Sequence, residues 1–213
     1  MSTEKLTGQQ IAEAGLTGWA HLADALQTRI KTKDFAAALQ VVNAIGEAAE
    51  EMNHHPDLDL RWGRVDVLLT SHDTGGVTER DLRLAHRISD IAAAAGVSTD
   101  SASVSRVELG LDSPDASAVA PFWAAVLAGK QAGDDVVDPY GAVPLVWFQK
   151  SGSEEPRQRW HPDVWVEPAQ VRPRIDAAVA AGGSLVSEEA APRFWVLADP
   201  EGNKVCLCTT QGR

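Results

Sequence analysis

The sequence has little cysteine and no long apolar run. Its two cysteines, Cys206 and Cys208, are two residues apart, a spacing that puts both on one face of a strand and suits a disulfide poorly. We interpret them as core thiols in a reducing compartment. No run approaches the ~18 apolar residues that a membrane span requires, and the polar start MSTEKLTGQQ lacks the pattern of a signal peptide. We therefore predict a cytoplasmic protein without a membrane partner.

Positive charge is also scarce. The chain has 19 Lys and Arg against 30 Asp and Glu, a formal net charge of -11. Neither half offers the basic surface that a phosphate backbone or an anionic membrane would require. This composition argues against direct binding to nucleic acid.

The first half has the pattern of an antiparallel sheet with helices packed on one face. A helix is predicted over 35–52, opened by Asp34 as its N-cap and ended near a proline. A strand is predicted over 62–70 because apolar and polar residues alternate there, and a last helix opens at Thr78 and runs to about Ala95. The apolar stripe predicted to be buried on the first of these helices consists of Phe35, Leu39, Val42, Ile45 and Ala49.

The second half repeats a β-α-β-β-β order twice, about 55 residues apart, which is typical of an internal duplication. Small and polar residues separate the halves. We predict an α+β protein with one domain over 1–97, a linker over 98–103 and a second domain of paired βαβββ modules over 104–213.

Three histidines of the first half are predicted to meet. His54 and His55 leave a helix at a proline-terminated corner, and His72 ends the next strand. Glu50, one helical turn before His54, and Asp81 are candidate carboxylates beside them. Clustered imidazoles suit acid and base catalysis near neutral pH, such as the elimination of water. From these residues alone, metal binding and a structural or solvent-facing corner remain alternatives.

These residues also form a longer motif. In order, it consists of Gly18-Trp19, Lys33-Asp34-Phe35, Glu50-x3-His54-His55-Pro56, Trp62, Thr70-Ser71-His72, and Gly76-Val77-Thr78-x2-Asp81. Residues 6 to 95 resemble, through this motif, the pterin-4a-carbinolamine dehydratase family. The resemblance implies a 4a-hydroxytetrahydrobiopterin dehydratase of tetrahydrobiopterin recycling, without metal or cofactor, and a homodimer. A non-catalytic binding or regulatory dimerisation protein is the alternative.

The resemblance also assigns roles. His54 would bind the pterin, His55 and His72 would act as acid and base in an order left open, and Glu50 and Asp81 would support them. The positions that it assigns to substrate binding are Asn53, Thr70, Ser71, Asp73 and Trp19, of which Trp19 has a core position as its alternative. Asn53 departs from the aspartate of animal members, which removes a charge beside the imidazoles.

Residues 104 to 209 resemble the glyoxalase-like branch of the vicinal oxygen chelate superfamily. The segments that carry this resemblance are 161–164 (HPDV), 181–183 (AGG) and 197–203 (LADPEGN). The four metal-ligand positions of that superfamily are filled here by Arg106 or Glu108, Gln149, His161 and Cys206. We expect no catalytic metal, because only His161 is a conventional ligand. The alternatives are a soft-metal site of Glu108, His161 and Cys206, an unknown small ligand, and a lyase or dioxygenase activity in this half.

Overall fold

The computed structural model describes residues 4–139, 141–152, 158–198, 200, 202 and 204–213. Among these, the residues up to 105 together with 166–170 and 210–213 form one compact unit, the N-terminal unit. Those within 106–165 and 171–209 form another, the C-terminal unit. No helix in the described part of the chain is both long and apolar enough to cross a membrane.

The N-terminal unit is a sheet with helices against one face. The helices are α1 (Gly8–Glu13), α2 (Phe35–Met52) and α3 (Glu79–Ala94); the strands are β1 (Ala20–Leu22), β2 (Ala25–Lys31), β3 (Asp57–Arg61), β4 (Arg64–Leu69) and β5 (Thr99–Asp100). The strand order is β1-β2-β4-β3, every pairing is antiparallel, and β5 pairs with β2. The register sets Leu26 opposite Leu69 and Ile30 opposite Val65, so these buried residues share the face that meets the helices.

Helix α2 has the predicted limits but buries a different stripe. Its buried residues are Ala38, Val41, Ile45, Ala48 and Ala49. Phe35 and Leu39, which we predicted to be buried, are 45% and 42% exposed. The helix is thus rotated so that an alanine-rich face meets the core. Small side chains on that face permit the helix to approach neighbouring elements closely. A prediction based on the positions of large apolar residues does not include this closer packing.

The strand predicted over 62–70 is shorter and has a partner that we did not predict. Trp62 is 75% exposed and lies with Gly63 in the two-residue turn that joins β3 to β4. Gly63 has a φ of 69°, a conformation that glycine adopts without steric cost and that tight hairpins require. The predicted linker likewise contains β5.

The C-terminal unit consists of two βαβββ modules, as predicted. The first module contains β6 (Arg106–Ser113), α4 (Ala116–Val126), β7 (Lys130–Ala132), β8 (Asp135–Val137) and β9 (Val146–Lys150). The second contains β10 (Trp160–Trp165), α5 (Val171–Ala180), β11 (Ser184–Ser187), β12 (Phe194–Ala198) and β13 (Lys204–Cys208). The sheet order is β11-β12-β13-β10-β6-β9-β8-β7. Strands β6 and β10 therefore pair at the centre, and each has the last strand of its own module in parallel beside it. The α+β class is confirmed.

In the first module, α4 covers an apolar cluster on one face of this second sheet. Ala120 of the helix is buried with Val136 and Val146 of the sheet, and Leu109 and Phe148 pack around them. Because side chains alternate along a strand, the residues between these in sequence point to the opposite face.

The helix-facing side of the first sheet can be tested by truncation. Leu84→Ala should destabilise the N-terminal unit by about 2–5 kcal/mol, because Leu84 is fully buried and its loss leaves a cavity. Leu39→Ala is the matched control and should cost less than about 1 kcal/mol. Hydrogen exchange of peptides from β4, followed by mass spectrometry, measures the stability of this unit. Equal losses in the two variants would contradict the packing described.

Candidate active site

The histidine-bearing segments of the N-terminal unit meet at Asp81. This carboxylate lies in the first turn of α3 and is fully buried. Its Oδ1 atom is 2.7 Å from Nε2 of His54. Its Oδ2 atom accepts hydrogen bonds from Oγ of Ser71 and from the backbone N–H of Thr78, each at 2.7 Å. Since a carboxylate accepts and does not donate, the His54 proton at this contact lies on Nε2.

His54 turns inward because of the way α2 ends. Asn53, the C-cap, adopts a left-handed conformation with φ 47° and ψ 45°, which asparagine tolerates better than most residues. The backbone N–H of His54 then donates to the carbonyl of Ala49 at 3.1 Å. The reversal leaves His54 buried and the following His55 exposed.

His55 has a looser carboxylate partner. Its Nε2 atom is 3.1 Å from Oε1 of Glu50, and the two side chains are 56% and 80% exposed. A pair in water is worth little in stability, so this contact leaves the imidazole accessible.

His72 lies in the turn that follows β4. Ser71 starts that turn and bridges to Gly76, its backbone N–H donating to the Gly76 carbonyl at 3.0 Å. His72 itself is exposed. The neighbouring Asp73 pairs with Arg80 at 2.6 Å, and this hydrogen bond is the main reason that the pKa of Asp73 lies below its ordinary value; the charge of His54 is among the smaller contributions.

The structure therefore brings the 53–55 and 71–73 segments together. His54 and Ser71 bind the two oxygens of one carboxylate, which keeps their side-chain atoms within about 8 Å of each other by hydrogen-bond geometry. His55 and His72 each lie one residue further along the chain, and both are exposed.

Two predicted substrate-binding residues are buried. Ser71 is 1% exposed, and its hydroxyl is engaged with Asp81 and with Oγ1 of Thr78 at 2.8 Å. Trp19 is 6% exposed, belongs to the core and donates its indole N–H to Ser89 at 3.0 Å, the alternative that the sequence left open.

The other three reach the surface. Asn53 and Asp73 are exposed, and Thr70 is half-buried with its hydroxyl donating to the carbonyl of Asp24 at 2.9 Å. Thr78 was missed as a site residue. The capping pattern that it forms with Asp81 predicts the start of a helix. That pattern does not predict the hydrogen bond of Thr78 with Ser71.

In the C-terminal unit, titratable residues gather on the sheet face opposite α4. The register sets Asp163 opposite Glu108 on one side and opposite Cys206 on the other. Donor atoms of His161, Asp163 and Cys206 lie within 4.8 Å of one another. Burial, and then the carboxylate of Asp163, raises the pKa of the Cys206 thiol from 9.0 to about 12.

Glu108 is engaged elsewhere. Its Oε2 atom accepts the indole N–H of Trp165 at 3.0 Å, and its Oε1 atom is 4.0 Å from Nε of Arg106. Of the soft-metal set considered from the sequence, His161 and Cys206 thus share a cluster with Asp163 in the place of Glu108. Gln149 is exposed on β9, and Asp199, Glu201 and Asn203 of the 197–203 motif lie outside the described residues.

Comparison with known proteins likewise finds two parts in the chain. The family model for pterin 4 alpha carbinolamine dehydratase matches residues 4–91, and that for a glyoxalase-like domain matches residues 108–208. A relative from Nocardia farcinica, provisionally named a pterin-4-alpha-carbinolamine dehydratase, is 40% identical over 94 residues, which are 43% of this chain and 99% of the relative. The chain belongs to the pterin-4a-carbinolamine dehydratase family.

Other relatives of this dehydratase family match the same part of the chain. One from Koribacter versatilis, with the same provisional name, is 44% identical over 82 residues, 38% of this chain and 87% of the relative. A crystal structure of a transcriptional coactivator/pterin dehydratase from Brucella melitensis is 34% identical, with a TM-score of 0.41, over 42% of this chain and 99% of that one. The chain thus joins a dehydratase-like N-terminal unit to a glyoxalase-like C-terminal unit.

The raised pKa of Cys206 predicts an unreactive thiol. A pKa of about 12 in place of 9.0 lowers the thiolate fraction near pH 8 about a thousandfold. We expect iodoacetamide to modify the Cys206 peptide at least about 100-fold more slowly in the folded protein than in urea, as measured by mass spectrometry in the presence of a chelator. Alkylation at the unfolded rate would contradict this environment.

Proposed function

We propose that the N-terminal unit removes water from a 4a-hydroxytetrahydropterin to give the quinonoid dihydropterin. The proposal rests above all on the Asp81 junction, which anchors both histidine-bearing segments with one carboxylate. Membership of the dehydratase family supplies the substrate class. Because the buried junction holds the two segments together, the exposed imidazoles that they carry keep a defined separation.

The reaction requires two proton transfers. The bond between C4a and the hydroxyl oxygen breaks, the hydroxyl takes up a proton and leaves as water, and the ring nitrogen beside C4a loses its proton. No oxidation occurs, so the balance of atoms and electrons demands neither a redox cofactor nor a metal. Imidazoles carry out both transfers near neutral pH, since each exchanges a proton there at low cost.

We assign the proton transfers to His55 and His72. Both imidazoles are exposed and so accessible to a substrate, and the carboxylate of Glu50 lies 3.1 Å from His55. His54 is held by Asp81 through Nε2, and its role in the proposal is to hold the pterin. Asn53, Thr70 and Asp73 border the same segments and supply polar groups for the ring. Ser71, Thr78 and Asp81 act as positioning residues.

The physiological setting follows from the substrate. Tetrahydrobiopterin recycling would use this dehydration, in the cytoplasm and with the protein as a homodimer. These three points remain predictions that accompany the proposal.

Loss of either exposed imidazole should slow the dehydration. We expect His55→Ala and His72→Ala each to lower kcat by about 10²- to 10⁴-fold, the usual contribution of a general acid or base. Dehydration of a synthetic 4a-carbinolamine, corrected for the uncatalysed reaction, provides the measurement. His86→Ala is the matched control, because His86 is exposed on α3 and outside the junction. Unchanged rates in both test variants would favour the non-catalytic binding role instead.

Asp81 can be tested as a positioning residue. Asp81→Asn keeps the shape but removes one acceptor, so it should cost about 1–3 kcal/mol in stability by leaving a buried donor unsatisfied. We expect kcat to fall about 10- to 100-fold with a displaced pH profile, because the segments that carry His55 and His72 lose their shared anchor. Asp90→Asn on the exposed side of the same helix is the control. A loss of stability with kcat and its pH profile intact would reduce Asp81 to a structural role.

A further inference from the structure

We propose that His161, Asp163 and Cys206 in the glyoxalase-like unit bind a divalent transition-metal ion of the zinc type. This site is independent of the proposed dehydration. His161 and Asp163 lie two residues apart on β10, and Cys206 lies on β13 in register with Asp163. Their nitrogen, oxygen and sulfur donor atoms are all within 4.8 Å of one another.

The separation suits a metal after a small adjustment. Zinc binds nitrogen and oxygen at about 2.0–2.2 Å and thiolate sulfur at about 2.3 Å, so tetrahedral ligand atoms lie about 3.5 Å apart. His161 Nε2 and Asp163 Oδ1 are already 3.8 Å apart, and no pair in the cluster would have to close by more than about 1.3 Å.

The surroundings of His161 hold its ring in place. Gly110 lies opposite it, and a Cβ at that position would come within 2.6 Å of Cε1 and 2.7 Å of Nε2 of the imidazole. The indole of Trp147 packs edge-to-face on the same ring, with centroids 5.5 Å apart and an interplanar angle of 84°. A side chain at position 110 would therefore displace the imidazole.

Trp147, which packs on the His161 ring, carries an unsatisfied donor. Its Nε1–H is buried and has no acceptor among the described residues, a costly state for a polar group. A Cβ atom on Gly110 would lie 3.0 Å from Cζ2 of this indole. The same Cβ would lie still closer to the imidazole of His161. The indole of Trp147 and the imidazole of His161 thus both adjoin one point on the sheet, at Gly110.

Charge and burial favour a soft cation. The side chains of His161 and Asp163 are 17% and 13% exposed, enough for entry but low enough to strengthen electrostatic attraction. On binding, Cys206 would release its thiol proton to solvent and form a metal–sulfur bond. The two negative charges of Asp163 and the thiolate then balance the divalent ion. The mixed nitrogen, oxygen and sulfur set selects zinc or cobalt over magnesium or calcium.

Cobalt provides the direct test. The 213-residue chain, stripped with a chelator, should bind one equivalent of Co²⁺ and develop both a thiolate-to-cobalt charge-transfer band and the intense visible bands of tetrahedral cobalt. Cys206→Ala should abolish the charge-transfer band, and Asp163→Asn, which preserves volume, should weaken binding at least about 100-fold. Circular dichroism confirms folding of each variant.

Two matched controls distinguish this site from its neighbours. Cys208→Ala, two residues further along the same strand, and Glu108→Gln should both retain the spectrum. Loss of the band in Cys208→Ala with retention in Cys206→Ala would overturn the proposal. Dependence on Glu108 with indifference to Asp163 would also overturn it, and so would a weak octahedral spectrum from adventitious metal only.

Discussion

The N-terminal unit depends on one buried carboxylate. Asp81 has no exposed surface, and a charged group in that position is tolerated only when its oxygens are fully hydrogen-bonded. Its partners come from three places in the chain: the end of α2, the end of β4 and the start of α3. Satisfying one carboxylate thus fixes the relative position of three segments. The helix start contributes further, since its exposed N–H groups favour negative charge there.

In this arrangement the tightly hydrogen-bonded residues differ from the residues that a substrate can reach. The groups with the best hydrogen bonds, those of His54 and Ser71, are buried. The imidazoles to which we assign proton transfer are exposed, and the contact of His55 with the exposed carboxylate of Glu50 is worth little energy. The accuracy of their placement must therefore come from the backbone, through residues one position away that are locked on Asp81. Rigid support beneath exposed loop residues is a common way to build a site.

Helix caps and helix limits in the N-terminal unit were predictable from the local sequence. The wrong predictions, which concern burial and long-range contacts, share a cause. Asp34 and Thr78 are N-caps as predicted, and α2 and α3 have nearly the predicted limits. The exposed Phe35 and Leu39 and the turn at Trp62 were not predicted, because local periodicity does not reveal which face meets a neighbour. Ser71 was assigned to substrate from its place in the motif. Its burial depends on Thr78 and Asp81, seven and ten residues away, and such contacts have no local signature.

The two modules of the C-terminal unit have the same order of elements but different side chains at equivalent positions. The central strands β6 and β10 occupy equivalent places in their modules, each with a parallel partner. At the first, Glu108 is drawn to the indole of Trp165 and to Arg106; at the second, His161 and Asp163 face Cys206. From the sequence we expected no catalytic metal and kept a set of Glu108, His161 and Cys206 as an alternative, because equivalent positions of the two modules were compared without their neighbours. Register explains the difference: Asp163 is paired with Cys206 directly across β10 and β13, whereas Glu108 is one strand further away. The proposed ligand set therefore comes from the second module alone, because β10 and β13 lie side by side in the sheet and bring its three donor groups together.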